Sequence, residues 1–316
     1  MMNEKTDFTL NHAAEAYALF MRAVKDENPS VAEDLLNKIM PALLNSPSPV
    51  SGVTDDFHNF SVSVIKQFQK YSVALDIVEL GLKSLPDSTD LLADAIRYAT
   101  SCGKKDRANE YYSRLRYIDY PKWTWRAFSF SIDFLVDQYL NGEGIGSCLD
   151  EAHALVGSYK KSFPTEEDPW KCEEDIYSKT NNLAKGIEVL KEAINKHDLC
   201  PKCWLRYADI MMSQGQYTEA ETYLKKLTTN PISTDSVNMA YVYYLDGLCR
   251  MTLWQQSPEY EEEEFDPKTV NAIYRRFRKA INHPECRYDI KKKAQSLART
   301  VYDETGFEPN IEGVDV

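Results

Sequence analysis

Soft metal-binding side chains come together locally in one place, His197-Asp198-Leu199-Cys200-Pro201-Lys202-Cys203, a Cys-Pro-x-Cys turn with an imidazole three residues upstream. Zinc favours thiolate and neutral imidazole, and a structural zinc site closes with four ligands. One histidine and two thiols fall short, and the distant thiol best placed to complete the set is Cys172. The stretch therefore reads as a connecting turn, with no metal and no cofactor expected. A redox role is weaker still without a thioredoxin-like strand and helix around the motif. The other histidines, His12, His58, His153 and His283, share no constellation. No nucleophile elbow, phosphate-cradling glycine loop or helical His-Glu-x-x-His pattern occurs, so no enzymatic activity is expected.

A second chemistry-bearing stretch is Pro258-Glu259-Tyr260-Glu261-Glu262-Glu263-Glu264-Phe265-Asp266-Pro267, six carboxylates around two aromatics. Carboxylates attract a basic surface, and aromatic side chains bury large areas on contact. Tyr260, Glu261, Glu262, Glu263, Glu264 and Phe265 thus form one candidate docking element. The plainer alternative is a solvated loop, paired internally with Arg275-Arg276-Phe277-Arg278-Lys279 just downstream.

The elements that position these stretches show in a 34-residue period. Trp170 recurs as Trp204, Gly186 as Ala220, Leu190 as Leu224, and Ala193 as Leu227. That interval describes a two-helix unit stacked on its neighbour. Small residues such as Ala208 and Ala220 let the helices of one hairpin approach, larger apolar residues fill the groove to the next, and Gly215 turns the chain between them. Glu174 stands where the pattern asks for a small residue. Units with weaker matches run over 55–88, 89–122 and 123–166, the last enlarged by the turn Asn141-Gly142-Glu143-Gly144-Ile145-Gly146. Helices over 236–254 and 268–282 pair across the acidic insertion, and 288–305 is left as a single covering helix. Upstream, 11–27 and 29–45 pair, and Ser46-Pro47-Ser48-Pro49-Val50-Ser51-Gly52 is a turn-rich connection suited to a hinge.

The positions of Trp204, Tyr207, Ala208, Gly215, Ala220, Leu224 and Leu227 resemble the tetratricopeptide repeat family. The resemblance implies an all-α, right-handed superhelical solenoid of about seven antiparallel helix pairs with a C-terminal capping helix. It divides the chain into an N-terminal hairpin and linker (1–54), a repeat array (55–286), and a capping helix with an acidic tail (287–316). It also implies a groove lined by first-helix positions two, five, nine, twelve and thirteen. Those positions select Asp56, Asn59, Ser63, Lys66 and Gln67; Asp90, Ala93, Arg97, Thr100 and Ser101; Thr124, Ala127, Ser131, Phe134 and Leu135; and Asp168, Lys171, Asp175, Ser178 and Lys179. Asn59, Lys66, Arg97, Phe134, Lys171 and Lys179 are the candidate contacts. Phe134 is the expected exposed member of the aromatic-rich stretch 111–139, whose other rings are expected to pack. The clamp by which the family holds acidic chaperone tails is not expected, because no unit pairs lysine and asparagine at positions five and nine.

The charge balance narrows the partner. Thirty-seven basic against 49 acidic side chains give a net charge of −12, which disfavours phosphate backbones and anionic lipid. Met1 to Thr9 is polar, and the apolar run 128–140 is broken by Asp133 and Asp137, so no membrane segment is expected. Seven scattered cysteines in a chain able to bury a core read as reduced thiols, and the expected location is the cytoplasm. The expected function is a non-enzymatic scaffold or adaptor binding another protein or peptide. Alternatives are a peptide-responsive regulatory subunit with a mobile first hairpin, and a helical-repeat RNA binder, which the acidic balance and alternating groove charges disfavour.

Overall fold

The protein is described by a computed structural model that covers residues 10–25, 29–143, 146–230, 236–262 and 265–307. Glu263, Glu264, the Gly144–Ile145 step and the acidic tail beyond 307 lie outside those residues. Every regular element among the described residues is helical. The chain divides into two compact units, 1–172 and 173–316.

The first unit holds α1 (Ala13–Lys25), α2 (Pro29–Leu44), α3 (Thr54–Phe68), α4 (Tyr71–Ser84), α5 (Thr89–Ser101), α6 (Lys105–Arg116), α7 (Trp125–Leu140) and α8 (Ser147–Ser162). These pair as consecutive hairpins. The first helices α1, α3, α5 and α7 pack side by side, and α2 and α4 pack behind them. Two of the starts have a clear local cause: Ser88 and Thr124 accept hydrogen bonds from the amides of Leu91 and Ala127, satisfying first-turn donors that the helix leaves open. Spacing between hairpins is set by size. At Gly81 a Cβ would lie 2.8 Å from the Phe57 ring and 2.9 Å from Leu91, so only hydrogen lets α3, α4 and α5 meet there.

The connection 46–52, read as a hinge, is stitched to its surroundings. The Ser51 amide donates to the Asn11 carbonyl at 2.9 Å and the Ala13 amide to the Ser51 carbonyl at 2.9 Å. Ser84 Oγ donates to the Val50 carbonyl at 2.7 Å. Phe20 packs on Phe60 with ring centroids 5.6 Å apart. The first hairpin is thereby tied to the connection by backbone hydrogen bonds and to α3 by core packing.

α9 (Asp168–Lys179) carries the division between the units. The second unit continues with α10 (Leu183–Lys196), α11 (Pro201–Ser213), α12 (Tyr217–Thr229), α13 (Met239–Gln255), the short α14 (Pro258–Glu261), α15 (Pro267–Ile281) and α16 (Tyr288–Thr305). Gly215 makes the α11–α12 turn at φ 75°, a left-handed conformation in which a side chain is strained. Ala208 and Ala220, expected at the close approach of that hairpin, are both fully buried. The pairing of α13 with α15 spans the acidic insertion, and Gly247 admits the Phe277 ring to 2.7 Å of where a Cβ would sit. α16 then covers the face left open by α15 and α13, burying Ile290, Ala294, Ala298 and Val301. No helix among the described residues is long and apolar enough to cross a membrane.

Candidate functional site

The first-helix layer of unit one is built from polar rungs. His58 Nδ1 on α3 lies 2.6 Å from Asp94 Oδ2 on α5, whose carboxylate is only 1% exposed. Asp90 of α5 accepts from Thr124 Oγ1 at 2.6 Å and faces Arg126 Nε of α7 at 3.2 Å. One turn past Asp94 on α5, Tyr98 meets Ser61 at 3.2 Å, and burial, followed by the nearby Asp94 charge, pushes its phenol up to about 12. Tyr98 is therefore a neutral hydrogen-bonding group at physiological pH. Acid on one helix and base on the next fix the register of neighbouring hairpins, since a slip of one residue turns a helix by about 100° and parts them.

Beside the rungs, α5 and α7 present one cation and two rings in sequence, Arg97 and Trp125 exposed and Phe130 between them half-buried. The Arg97 guanidinium sits 4.9 Å from the centroid of Phe130. Phe130 in turn meets Trp125 edge-on at 6.5 Å, and Trp125 is 50% exposed. Asn59, Val62 and Lys66 stand exposed on α3 of the same layer. Cation and π-face are thus offered together. A carboxylate can pair with Arg97 or Lys66, and an apolar or aromatic side chain can lie on Trp125.

Of the expected groove contacts, Asn59, Lys66 and Arg97 are exposed here, while Phe134 is not. It is 5% exposed and packs on Tyr112 with centroids 5.5 Å apart. The reason is register: α5 and α7 start at 89 and 125, a step two residues longer than the 34-residue period. Two residues turn a helix by roughly 200°, which carries Phe134 to the packed side. Trp125, Phe130 and Asp133 are the side chains on open or half-open positions instead. The signal that would have found them is the 36-residue spacing of Asp90 to Arg126 and Asp94 to Phe130. The other rings of the stretch divide, with Tyr111, Tyr112, Trp123 and Phe128 buried and Tyr117, Tyr120 and Trp125 exposed.

On α9, Lys171 is half-buried and Lys179 exposed. Between them Glu174 is completely buried, yet it has partners. Its Oε2 accepts from Arg206 Nε of α11 at 2.9 Å, and Ser178 donates to Oε1. Hydrogen bonding to Glu174, opposed by desolvation, raises the Arg206 pKa above its ordinary value. Gly186 on α10 faces this side chain, and a Cβ there would lie 3.5 Å from Glu174 Cγ, an ordinary contact distance. The apparent misfit to the repeat is thus an exchange of sizes between two facing positions. Farther on, Asp246 of α13 is fully buried between Arg250 at 2.8 Å and Arg276 at 2.7 Å.

In the acidic insertion, the two rings expected as anchors are occupied internally. Tyr260 and Phe265 meet Trp254 at centroid distances of 4.9 and 5.6 Å and join the core of the last hairpin. Asp266 caps α15 by accepting from the amides of Lys268 and Thr269 at 3.1 and 3.2 Å, the first of which lowers its pKa. Glu261 and Glu262 are exposed. The alternative of internal pairing with the basic helix is not met by Arg276, which turns to Asp246. A cleft of about 520 Å³ beside the insertion is lined by Glu221, Arg250, Trp254, Glu259 and Lys268 among others. In the Cys-Pro-x-Cys turn, Cys200 and Cys203 are both completely buried. No group of three histidine, cysteine or acidic side chains among the described residues is arranged to hold a metal ion.

A tetratricopeptide repeat protein from Parabacteroides merdae superimposes with a TM-score of 0.51 at 13% identity, over 92% of this chain and 98% of that one. The fold is of the tetratricopeptide-repeat type. A monomeric mutant of IFIT1 with m7Gppp-AAAA aligns at a TM-score of 0.44 and 15% identity over 93% of this chain and 66% of that chain. The human IFIT1 dimer with PPP-AAAA gives 0.44 and 14% over 88% and 65%. No protein-family model matches the sequence, and no curated protein is significantly similar to it. At these identities the tetratricopeptide-repeat likeness speaks to the stacking of helix hairpins, and function has to be argued from the side chains.

Proposed function

We propose that this tetratricopeptide-type chain is a non-enzymatic scaffold that holds a peptide segment of another protein, acting in the cytoplasm. The observation that carries the reading is the strip Arg97–Phe130–Trp125, with Asn59 and Lys66 exposed on α3 of the same helix layer, set on rungs that pair Asp94 with His58 and Asp90 with Arg126. A half-exposed tryptophan beside an arginine is the kind of anchor that dominates peptide and protein interfaces, because it buries a large area at low entropy cost. The ligand suited to it carries a carboxylate within a few residues of an apolar or aromatic side chain. Binding at such a surface requires no chemistry of the chain's own. The stitched 46–52 connection lends no support to a swinging first hairpin, so the regulatory alternative has the weaker footing.

The test is selection from a random peptide library on the intact chain, followed by affinity measurement on Arg97→Glu and Trp125→Ala. Selected peptides should lose about ten-fold or more in affinity on either variant, since one good contact is worth roughly 1.4 kcal/mol or more. Melting temperatures should stay near the parent, because both side chains are exposed. Selected peptides that bind the two variants as well as the parent would overturn this site.

A further inference from the structure

Charge is segregated along the chain. Residues 267–302 hold ten of the 37 basic side chains and two of the 49 acidic ones, leaving 27 basic and 47 acidic for everything else. That window is the closing hairpin, in which the last turns of α15 and the first turns of α16 share one end, around the 282–287 connection. Arg275, Arg278 and Lys279 come from α15 and Lys291, Lys292 and Lys293 from α16, and all six are exposed. Lys279 and Lys292 rest over the rings of Tyr243 and Tyr288 at 5.1 and 4.8 Å. None of the six forms an ion pair with a described residue. Of the two carboxylates at this end, Asp289 is held by Arg287 at 3.0 Å, and Glu285 is exposed.

Helix stability accounts for only part of this arrangement. Cations in the last turn of α15 complement the negative end of its dipole, which explains Arg278 and Lys279. Lys291, Lys292 and Lys293 lie in the first turns of α16, near the positive end, where cations are disfavoured. Arg275 and Lys279 are like charges four residues apart, a repulsive spacing. Local choices that work against their own helices are the mark of a surface kept for another purpose.

We propose that this end of the α15–α16 hairpin docks a short, carboxylate-rich peptide segment of a protein partner. Charge complementarity selects an anion, and the size of the patch selects a short one. Six cations on two or three turns of adjacent helices span on the order of 15 Å, and charges act over only about 8 Å at physiological ionic strength. A few glutamates or aspartates satisfy such a patch. A long polyanion runs past it toward a chain that is otherwise acidic. Apart from Tyr288, no large apolar side chain stands exposed here among the described residues, so there is little to insert into a bilayer. The surface shares no residue with the Arg97–Phe130–Trp125 strip, and Trp125→Ala leaves it intact.

The experiment is fluorescence anisotropy of a labelled peptide of about ten alternating glutamates and glycines, titrated with the full chain at low and physiological salt. Binding should be saturable and weaken with salt. It should fall about ten-fold or more in Lys291→Glu/Lys292→Glu/Lys293→Glu and likewise in Arg275→Glu/Arg278→Glu. The first variant should melt no lower than the parent, because it places acids at a helix N-terminus; should it fail to fold, the triple Gln variant carries the same test. Lys38→Glu/Lys83→Glu/Lys104→Glu, with an equal charge change on exposed lysines elsewhere, should bind as the parent does. Undiminished binding by the tip variants would overturn the proposal, as would equal loss in the control triple. Tighter binding of a single-stranded oligonucleotide or of phosphatidylserine vesicles than of the peptide would overturn it in favour of those ligands.

Discussion

Two consecutive hairpins of the second unit share one 34-residue period and solve the close approach of their helices in different ways. In α11–α12 the facing positions are Ala208 and Ala220, both fully buried, so contact is made by two small apolar side chains. In α9–α10 the same positions are Glu174 and Gly186, a long acidic side chain opposite hydrogen. The total volume is similar but the chemistry is not. The acidic version is stable only because Arg206 arrives from the next hairpin to pair with the carboxylate. A repeat thus conserves space at these positions while leaving their polarity to whatever a neighbour supplies.

The hardest break is to copy the acidic solution where its partner is missing. Ala208→Glu places a carboxylate in α11–α12, and the residue 34 beyond Arg206 is Ala240, which cannot pair with it. An uncompensated buried charge costs about 3–5 kcal/mol, and we expect thermal unfolding to show a large fall in melting temperature. A melting temperature close to the parent's would show that the two hairpins are not distinguished by their neighbours.

Removing the native carboxylate should cost less. Glu174→Ala leaves Arg206 without its main partner, but that side chain is 32% exposed and can turn to water. A loss of roughly 2–3 kcal/mol in denaturant unfolding is expected, below the range for wholly buried pairs. Arg206→Ala strands the fully buried member instead and should be the worse of the two. The reverse order would mean that the guanidinium, and not the carboxylate, is the trapped charge.

Overpacking separates the hairpins by size alone. Ala220→Leu should cost about 1–3 kcal/mol, because a filled interface must shift its helices to admit three more carbons. The smallest effect expected is at the facing glycine. A Cβ at Gly186 would stand 3.5 Å from Glu174 Cγ and 3.7 Å from its other nearest atoms, ordinary contact distances, so Gly186→Ala gains helix propensity. Stability should rise by roughly 0.5–1 kcal/mol. A measured decrease would mean that the Glu174 side chain needs all the space it has.

Much of the architecture was legible beforehand because it rests on periodicity. The recurrence of Trp170 as Trp204 and the positions of Ala208, Gly215 and Ala220 report which side of each helix is buried. The pairing across the acidic insertion and the single covering helix at the end follow from the same pattern. Reading a site demanded more. A two-residue drift by α7 was enough to exchange Phe134 for Phe130 and Trp125, since helical faces change with every residue while hairpin boundaries do not.

What the sequence by itself determined is where helices begin, turn and stack, because small and large apolar residues at helical spacing act locally and through their nearest neighbours. What only the tertiary structure decided is the fate of the polar and aromatic groups between those positions. Glu174 looks like a misfit until Arg206, 32 residues on, is seen against it. Tyr260 and Phe265 look like free anchors until Trp254 takes them up. Lys291 to Lys293 are three adjacent cations in the sequence, and the hairpin brings Arg275, Arg278 and Lys279 to the same end. Charge and ring contacts depend on distance through space, which a helix-pair stack sets by folding back every dozen residues or so, and the repeat period does not report it.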